Sequence, residues 1–339
     1  MINSSIDLFE DFFRNEPEST AFASGRVNLI GDHTDYNSGF VMPTPLSLGI
    51  EVSIRKTRTG FIEGKTELFK ETKTEINSNV DGTWLDFIKG AIKVFYEEFP
   101  NCSKKLEEGI QVAVTSNLPS GSGVSSSAAL EIALLRAINK IENQNLSEIK
   151  LAKLAQKIEH KFIGTLCGLM DQMVVAKGIM NKAMFFDTKY EKTVNLSLFS
   201  NFEFLIVHSG SQRSLSSSLY NERRNECEEV SKILNIENLR DAKFTMLDKL
   251  GGKLLKRARH VISENERVQI CLNALQKNDN RTFGSKMYES HHSLSNDYEV
   301  SSELLDSIIK KAKLLNITGG RLTGAGFGGC CVFLTEKNS

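Results

Sequence analysis

The chain has 339 residues, of which 40% are hydrophobic and 25% are charged, so it can bury a sizeable core and is long enough for two domains. Its 42 basic and 42 acidic residues leave no net charge, and we therefore expect no nucleic-acid or membrane partner held by bulk electrostatics. The six cysteines form no C-x-x-C pair and no zinc-type spacing with histidine, which argues against a thiolate metal site.

The N-terminal part of the chain predicts a helix, a strand and a polar loop. It begins without the basic region and apolar run of a signal peptide, so a cytoplasmic protein is expected. Residues 5–15 place four apolar side chains on one face of an acidic helix. Residues 21–30 predict a short strand, and Gly31 then opens a loop with two carboxylates, a histidine and a tyrosine. Loops on a rigid scaffold commonly hold ligand-contacting groups, which makes residues 31–36 a candidate binding loop.

The next segment predicts strands followed by a helix. Residues 46–80 alternate in the manner of strands, with turns expected near Gly60 and Gly64. The segment from Gly60 to Thr66 is similar to a P-loop, but it has one residue too few between its glycines and no apolar helix follows it. It is therefore predicted to be a hairpin. Residues 84–98 are expected to form a helix.

The stretch from Asn117 to Glu131 joins a glycine-rich turn directly to a helix. Residues 110–115 alternate and are rich in β-branched side chains, which predicts a strand, whereas residues 128–138 are strong helix formers. The turn between them holds two glycines and three consecutive serines at the positive end of the helix. A plain turn needs only one serine as a cap, so the composition favours an anion site, most plausibly for phosphate. It is not a P-loop, because no lysine follows the glycines.

Residues 151–162 predict another helix, which carries Glu159, and a lone Asp171 then sits among apolar neighbours. A buried carboxylate is costly unless it is paired. A helix cap, a satisfied core carboxylate and a functional group all remain open for Asp171 on this pattern.

Short strands and polar turns between residues 180 and 202 predict a domain boundary, which divides the chain into residues 1–190 and 191–339. A strand, four helices and a final strand are then expected in the second domain, at residues 204–208, 219–234, 253–276, 280–294, 301–315 and 330–334.

Three glycines near the end of the chain match the pattern G-x-G-x-x-G; they are Gly324, Gly326 and Gly329. A dinucleotide site needs that turn between a strand and a helix, whereas a strand is predicted directly after it here. The order of the predicted elements therefore excludes the dinucleotide-binding interpretation. Two interpretations remain: the glycines let the backbone approach a ligand closely at a second place, or they form a glycine-rich hairpin.

Three separated motifs together resemble the GHMP kinases, and the first closely resembles the galactokinase signature. They are residues 25–36, residues 118–128 and residues 322–329. Four further stretches look like galactokinases in the same order, so the resemblance covers nearly the whole chain; they are residues 167–172, 220–227, 257–265 and 289–299.

The fold implied by this resemblance is of the α+β class and has two domains. The N-terminal domain would be of the ribosomal-protein-S5-domain-2-like kind and the C-terminal domain ferredoxin-like, with the active site in the cleft between them. The family usually continues for several tens of residues after its last glycine motif and strand. The C-terminal domain is therefore expected to be short at its C-terminus.

The resemblance implies phosphoryl transfer from ATP to the anomeric hydroxyl of D-galactose, with Mg²⁺. The residues that would hold the triphosphate are Gly121, Ser122, Gly123, Val124, Ser125, Ser126 and Ser127. Ser127 and Glu159 match the magnesium ligands, which would both supply hard oxygen donors. Asp171 matches the catalytic base, and Arg26 matches its positively charged partner.

The positions that match the family's sugar contacts are Asp32, His33, Thr34, Asp35, Gly168 and Tyr220. Galactokinases usually carry glutamate at the position of Asp32. The shorter side chain is expected to lengthen a contact with the sugar's 6-hydroxyl, to route it through water or to admit another substituent at C6.

Two alternatives remain open. One is a 1-kinase for a related sugar, such as N-acetylgalactosamine, galacturonate or arabinose. The other is a catalytically silent sensor of galactose and ATP, against which the intact Ser127–Ala128 step argues. The expected partners are a small sugar and ATP, and the chain is expected to be a monomer.

Overall fold

The structure is a computed structural model, and the residues that it describes are 4–70, 72–102, 105–119, 121–211 and 216–337. Its strands are β1 (Ser19–Ile30), β2 (Phe40–Lys56), β3 (Phe61–Thr66), β4 (Lys73–Glu75), β5 (Ile110–Ser116), β6 (Lys182–Asp187), β7 (Lys192–Ser197), β8 (Phe202–His208), β9 (Gly319–Leu322) and β10 (Cys330–Glu336). Its helices are α1 (Ser5–Phe13), α2 (Leu85–Glu98), α3 (Ser126–Ile141), α4 (Glu148–Ile158), α5 (Met170–Lys177), α6 (Ser216–Leu234), α7 (Gly252–Gln276), α8 (Asn280–Asn296) and α9 (Glu303–Leu314). Among the helices of the described ranges, none has the length and apolar character needed to cross a membrane.

The strands up to Ser197 form one mixed sheet. Its order is β4–β3–β5–β2–β6–β7, and β1 pairs with β2. β3 and β5 are parallel, whereas the other neighbours are antiparallel. Helices α2 to α5 share one buried apolar core with this sheet, in which Val52 of β2 lies with Ile92 of α2 and Leu135 of α3. Burial of these apolar faces holds the ends of β1 and β5 in place for the loops that follow them.

The rest of the chain forms a second, antiparallel sheet of order β8–β10–β9, accompanied by helices α6 to α9. A further core joins this half to the end of β1. In it, Val27 and Leu29 lie with Val268 of α7, Phe283 of α8 and Val332 of β10. The two halves of the chain are therefore packed on each other where β1 ends.

Most of the predicted elements are confirmed, but two strands differ from the prediction. Gly64 lies inside β3 rather than in a turn; a Cβ there would be 2.7 Å from the ring of Trp84, so the glycine makes room for packing. β2 begins at Phe40, earlier than expected, and runs through Pro43 and Pro45. Prolines disfavour a central strand because they donate no ladder hydrogen bond, and the β1–β2 register shifts on either side of them.

The helix expected over residues 151–162 is also different. α4 ends at Ile158, and the chain continues as a π-helical turn from Glu159 to Ile163. Such turns are rare and often occur at functional sites. The short strand β9 was not predicted, because the two glycines that begin it are more typical of a turn.

Candidate active site

A cavity of about 250 Å³ opens between the two halves of the chain. Its polar lining residues are Arg26, Asp32, His33, Asp35, Ser127, Glu159, Thr165, Cys167, Asp171, Gln172 and Tyr220. The C-terminal glycine motif also reaches this cavity, through Gly324 and Ala325. A wider groove of about 930 Å³ lies along α7 and α8 and shares no residue with it. Most of the residues predicted to act on a sugar or a metal thus meet in one place.

The loop between β5 and α3, which we call the phosphate loop (residues 117–127), has the backbone of an anion-binding turn. Its left-handed residues are Gly121 (φ 66°), Gly123 (φ 74°) and Ser125 (φ 61°). These positive φ angles let the backbone turn sharply into the positive end of α3, as in turns that bind anions. The hydroxyl of Ser122 donates to the carbonyl of Pro119 at 2.7 Å and stabilises the turn. Ser120 lies outside the described residues.

Arg26 ties the phosphate loop to Asp171. Its guanidinium donates to both oxygens of that carboxylate, from Nε to Oδ1 at 2.7 Å and from Nη2 to Oδ2 at 2.6 Å. Its Nη1 donates to the carbonyl of Gly123 at 2.7 Å, and its backbone N–H donates to the carbonyl of Val124 at 3.0 Å. Arg26 is only 3% exposed, whereas the side chain of Asp171 is 29% exposed and lines the cavity, so these charge-assisted bonds are partly shielded from water. The loop, the arginine and the carboxylate therefore form one rigid unit.

The hydroxyl of Ser125 faces Asp171. The side chain of Ser125 is buried, and its hydroxyl donates to Oδ2 of Asp171. Asp171, in the first turn of α5, thus accepts hydrogen bonds from two side chains that fix its orientation. Ser126 is exposed and begins α3, so its backbone N–H lies at the helix terminus without an intrahelical partner.

Ser127 and Glu159 lie together in the cavity. Burial raises the pKa of Glu159, Asp171 nearby raises it further, and hydrogen bonds with the hydroxyls of Ser127 and Thr165 lower it. A hydroxyl and a carboxylate are suitable oxygen donors for Mg²⁺, which takes few protein ligands and fills its shell with water and phosphate oxygens. No group of three His, Cys, Asp or Glu side chains in the described ranges could hold a metal by itself. The pair therefore offers two oxygen donors of the kind that Mg²⁺ prefers.

The segment of residues 31–36, which we call the sugar loop, is internally bonded. The buried hydroxyl of Thr34 contacts the carbonyls of Gly31 and Phe40, at 2.8 and 2.6 Å, so it shapes the loop and its side chain does not line the cavity. Asp35 does line the cavity, and its Oδ2 accepts from the N–H of Met170 at 3.4 Å. Burial raises the pKa of Asp35 to about 6, with a further contribution from the charge of Asp171.

Gly168 lies directly against Asp35. A Cβ on Gly168 would be 2.1 Å from Asp35 Oδ2 and 2.8 Å from the backbone nitrogen of Tyr36. Only a residue without a side chain leaves the carboxylate in its present position. The structure therefore gives Gly168 a steric reason to be glycine.

The rings around His33 form an aromatic wall with Tyr36, Tyr220 and Tyr298. Burial and the nearby His260 hold the pKa of His33 well below its usual range, so the imidazole is neutral. Its Nε2 lies 3.2 Å from the carbonyl of Ala325, which can only accept, so Nε2 carries the proton. Its Nδ1 then accepts from the hydroxyl of Tyr36 at 2.9 Å.

Several residues near Asp32 were not identified from the sequence. Asp32 is 2% exposed; its Oδ1 accepts from Asn28 Nδ2 at 2.8 Å, and its Oδ2 pairs with Arg321, which is fully buried in β9. Burial raises the pKa of Asp32, and Arg321 lowers it. A charged residue inside a strand of small and apolar residues was a signal for such a pair, since a buried guanidinium needs an acidic partner. Nothing in the sequence, however, specified which partner.

Comparison with protein families gives three matches along the chain. The galactokinase galactose-binding signature matches residues 7–56. The GHMP kinases N terminal domain matches residues 86–178, and the GHMP kinases C terminal domain matches residues 271–339. These matches include the sugar loop, the phosphate loop with Asp171, and the last glycine motif.

Similar proteins agree with these families. The galactokinase of Clostridium perfringens (strain SM101) is 34% identical over 99% of this chain and 90% of its own length, and that of Fusobacterium nucleatum is 36% identical over 100% and 91%. A crystal structure of Lactococcus lactis galactokinase complexed with galactose has a TM-score of 0.91 at 30% identity, covering 98% of this chain and 89% of that one. The mevalonate kinase of Methanococcus jannaschii, with a TM-score of 0.69 at 20% identity, shares the fold. The expected two-domain α+β fold is confirmed, and the chain belongs to the galactokinase family of the GHMP kinases.

Proposed function

We propose that this ATP-dependent sugar kinase transfers the γ-phosphoryl group of ATP to the anomeric hydroxyl of D-galactose, with Mg²⁺. The observation that carries the proposal is the unit of Arg26 and Asp171, which joins the phosphate loop and stands in one cavity with the sugar loop. The relatives named as galactokinases, and a similar structure complexed with galactose, support the choice of sugar.

In the proposed reaction, the anomeric oxygen of the sugar forms a bond to the γ-phosphorus as the bond from that phosphorus to the β,γ-bridging oxygen breaks, and ADP leaves. The proton of the anomeric hydroxyl passes to the carboxylate of Asp171. Phosphoryl transfer has a loose transition state and depends mainly on positioning and charge stabilisation. The rigid pairing with Arg26 and the bond from Ser125 supply that positioning. The fixed charge of Arg26 also favours the negative charge shared among the transferring oxygens.

Ser127 and Glu159 are the residues that would hold Mg²⁺. When bound, the ion would neutralise charge on the β- and γ-phosphates of ATP. The backbone N–H groups of residues 121–126 would cradle the triphosphate at the positive end of α3. The hydroxyl of Ser125 has a different task in this scheme, because it orients Asp171.

Sugar binding is assigned to Asp32, His33, Asp35, Gly168 and Tyr220. Ionised carboxylates accept hydrogen bonds from hydroxyls, so Asp35 and Asp32 are suited to distinguish the stereochemistry and substituents of a sugar. Gly168 admits the carboxylate of Asp35, and the ring of Tyr220, beside that of His33, closes the aromatic side of the cavity. Thr34 contributes by keeping the sugar loop in shape.

A coupled assay of ADP release tests the proposal with galactose, N-acetylgalactosamine, galacturonate and arabinose as substrates. We expect turnover with galactose, dependent on Mg²⁺. Asp171→Asn keeps the shape of the side chain and should lower kcat by about a hundredfold or more, because the proton acceptor is lost. Asp241→Asn, which removes a carboxylate paired with Lys189 away from the cavity, is the matched control and should leave kcat unchanged.

Each alternative has its own result in this assay. Turnover with another sugar and none with galactose would replace the assigned substrate. Binding of galactose and ATP by calorimetry without ADP release would identify a silent sensor instead. Wild-type kcat in Asp171→Asn would remove the proposed base and leave the kinase assignment standing.

We also propose a domain boundary, an oligomeric state and a cellular location for the protein. We place the domain boundary between residues 1–190 and 191–339, which the change from the first sheet to the second between β7 and β8 supports. As the sequence predicts, we propose that the protein is a monomer and is located in the cytoplasm.

A further inference from the structure

The sugar loop is held from outside by helix α7 of the C-terminal half. Three side chains on α7 bond to the main chain at the two ends of the segment from residue 31 to residue 40. They are His260 to the carbonyl of Asp32 (3.2 Å), Glu264 to the N–H of Gly31 (2.9 Å) and Asn265 to the N–H of Phe40 (2.8 Å). Positions 260 and 264 are four apart and therefore lie on one face of the helix, with 265 beside them. No substrate-contacting role has been assigned to any of the three.

Gly31 makes this close approach possible. Its φ is +99°, and a Cβ there would be 2.6 Å from the carbonyl oxygen of Phe40 and 2.9 Å from Val268 of α7. The chain at the start of the sugar loop is thus pressed against the helix, and its N–H is aimed at Glu264. Helix α7 works as a platform for the loop.

Glu264 is the centre of the contact. It is fully buried, and besides the N–H of Gly31 it accepts from Ser290 Oγ and from Arg267 Nε, both at 2.7 Å. Burial would raise the pKa of Glu264, but the charges of Arg267 and Arg321, with the bond from Ser290, lower it to about 2. The group is therefore an ionised carboxylate that holds a main-chain donor of the sugar loop.

Arg321 holds the side chain of the same loop. Its Nη2 pairs with Asp32 Oδ2, and its Nη1 lies 3.9 Å from Glu264 Oε1. Asp32, Glu264, Arg267 and Arg321, which we call the anchor cluster, balance two negative charges against two positive ones inside the protein. Because a buried charge is costly when it moves away from its partner, the cluster fixes Asp32 in one position.

We infer that Glu264 and Arg321 are positioning residues for sugar recognition: Glu264 fixes the main chain at the start of the sugar loop, and Arg321 fixes the carboxylate of Asp32. The inference rests on the proposed function. Because Arg321 and Asn28 hold Asp32, its carboxylate offers a substrate one fixed set of acceptor positions, and a sugar that lacks the matching hydroxyl leaves the carboxylate without a donor.

The test compares Glu264→Gln and Arg321→Lys with the wild-type enzyme, using galactose and 6-deoxygalactose, which lacks the hydroxyl that the family resemblance pairs with the position of Asp32. For each protein, kcat and the KM values for both sugars and for ATP are measured. We expect the KM for galactose to rise roughly tenfold to a hundredfold, as for a lost charged hydrogen bond, and the preference for galactose over 6-deoxygalactose to fall. The KM for ATP should stay within about twofold of the wild-type value, because the substitutions weaken the binding of the sugar and not that of ATP.

Glu266→Gln is the matched control, because it makes the same chemical change at an exposed position of α7. Its KM values and sugar preference should equal those of the wild-type enzyme. Should Glu264→Gln fail to fold, as judged by thermal melting, Arg321→Lys supplies the same comparison and keeps the charge balance.

The inference is overturned if the folded variants keep the wild-type KM for galactose and the wild-type sugar preference, or if the KM values for sugar and ATP rise equally. Failure of the proposed function gives a different result, in which the wild-type enzyme itself releases no ADP with galactose. Calorimetric titration of wild-type and variant proteins with galactose then decides the positioning role without turnover. Weaker binding by Glu264→Gln than by Glu266→Gln supports it, whereas equal binding by the two variants, or no binding even by the wild-type protein, refutes it.

Discussion

Substitution of Gly168 by alanine tests the geometry of the sugar site directly. The new Cβ would lie 2.1 Å from Asp35 Oδ2, whereas ordinary contact begins at 3.4 Å, so the carboxylate must retreat by at least 1.3 Å. The backbone nitrogen of Tyr36 would lie 2.8 Å from the same Cβ, a second clash that the main chain cannot relieve by a change of rotamer. The bond from Met170 N–H to Asp35, already 3.4 Å long, would be lost or redirected.

A displacement of this size should be expensive for catalysis. A charged hydrogen bond contributes about 1.5–3 kcal/mol, and a misplacement of about 1 Å in an active site costs on the order of a hundredfold. We therefore expect kcat/KM for galactose to fall about a hundredfold in Gly168→Ala, with the KM for ATP nearly unchanged. Steady-state kinetics with each substrate varied in turn measure both values.

Two controls separate the clash from a general defect. Gly251→Ala adds a Cβ with no atom within 4 Å, at a residue with φ −134°, and should leave the kinetics unchanged. Asp35→Ala removes the obstructing carboxylate, so adding Gly168→Ala to it should cost much less than adding it to the wild-type enzyme. Equal costs in both backgrounds, or a matching rise in the KM for ATP, would refute the steric explanation.

Three more measurements follow from the structure. The pKa of Asp35 is raised to about 6, so its carboxyl takes up a proton as the pH falls through that value. The KM for galactose should therefore rise by up to about tenfold per pH unit below pH 6. Asp35→Asn should abolish this pH dependence, and a pH dependence that persists in the variant would belong to another group. His33 is not that group, because its pKa lies well below the usual range. Ser125→Ala should lower kcat about tenfold, because it removes a hydrogen-bond donor to Asp171. A higher KM for ATP at unchanged kcat would instead show that the hydroxyl of Ser125 binds the nucleotide. Gly64→Ala should lower the free energy of unfolding by about 1–3 kcal/mol, because its Cβ overpacks against Trp84. Denaturant titration measures this value, with Gly251→Ala as the comparison variant. Equal stability of the two variants would contradict the packing role of Gly64.

Local pattern was enough to predict most elements, because helix and strand periods report which face of a segment is buried. The turn into α3 is an example, since its glycines and serines indicated a site for an anion before any partner was known. The prediction from local pattern was wrong where a residue type occurs in two kinds of structure. Gly64 is a glycine for the sake of a neighbouring ring, not for a turn, and the prolines of β2 lie in a strand whose pairing shifts around them.

The candidate site could be predicted residue by residue only through the family resemblance. The partners of those residues were out of reach, because they come from distant parts of the chain. Asp32 meets Arg321 across 289 positions, and Gly31 meets Glu264 across 233. The resemblance implies that Ser125 helps to hold the triphosphate, but no local pattern predicted that its hydroxyl would donate to Asp171. Such pairings depend on the packing of the two halves, which no local signal describes.

The apolar core at the end of β1 has a consequence for how the protein unfolds. Val27 and Leu29 belong to a strand of the first sheet, yet they are buried among side chains of α7, α8 and β10. Loss of either half would expose this shared core to water and remove one side of the sugar loop's support. The two halves should therefore melt in a single cooperative transition, and neither half expressed by itself should retain a sugar site. In this enzyme the support of the sugar loop and the cohesion of the two halves depend on the same core around Val27 and Leu29.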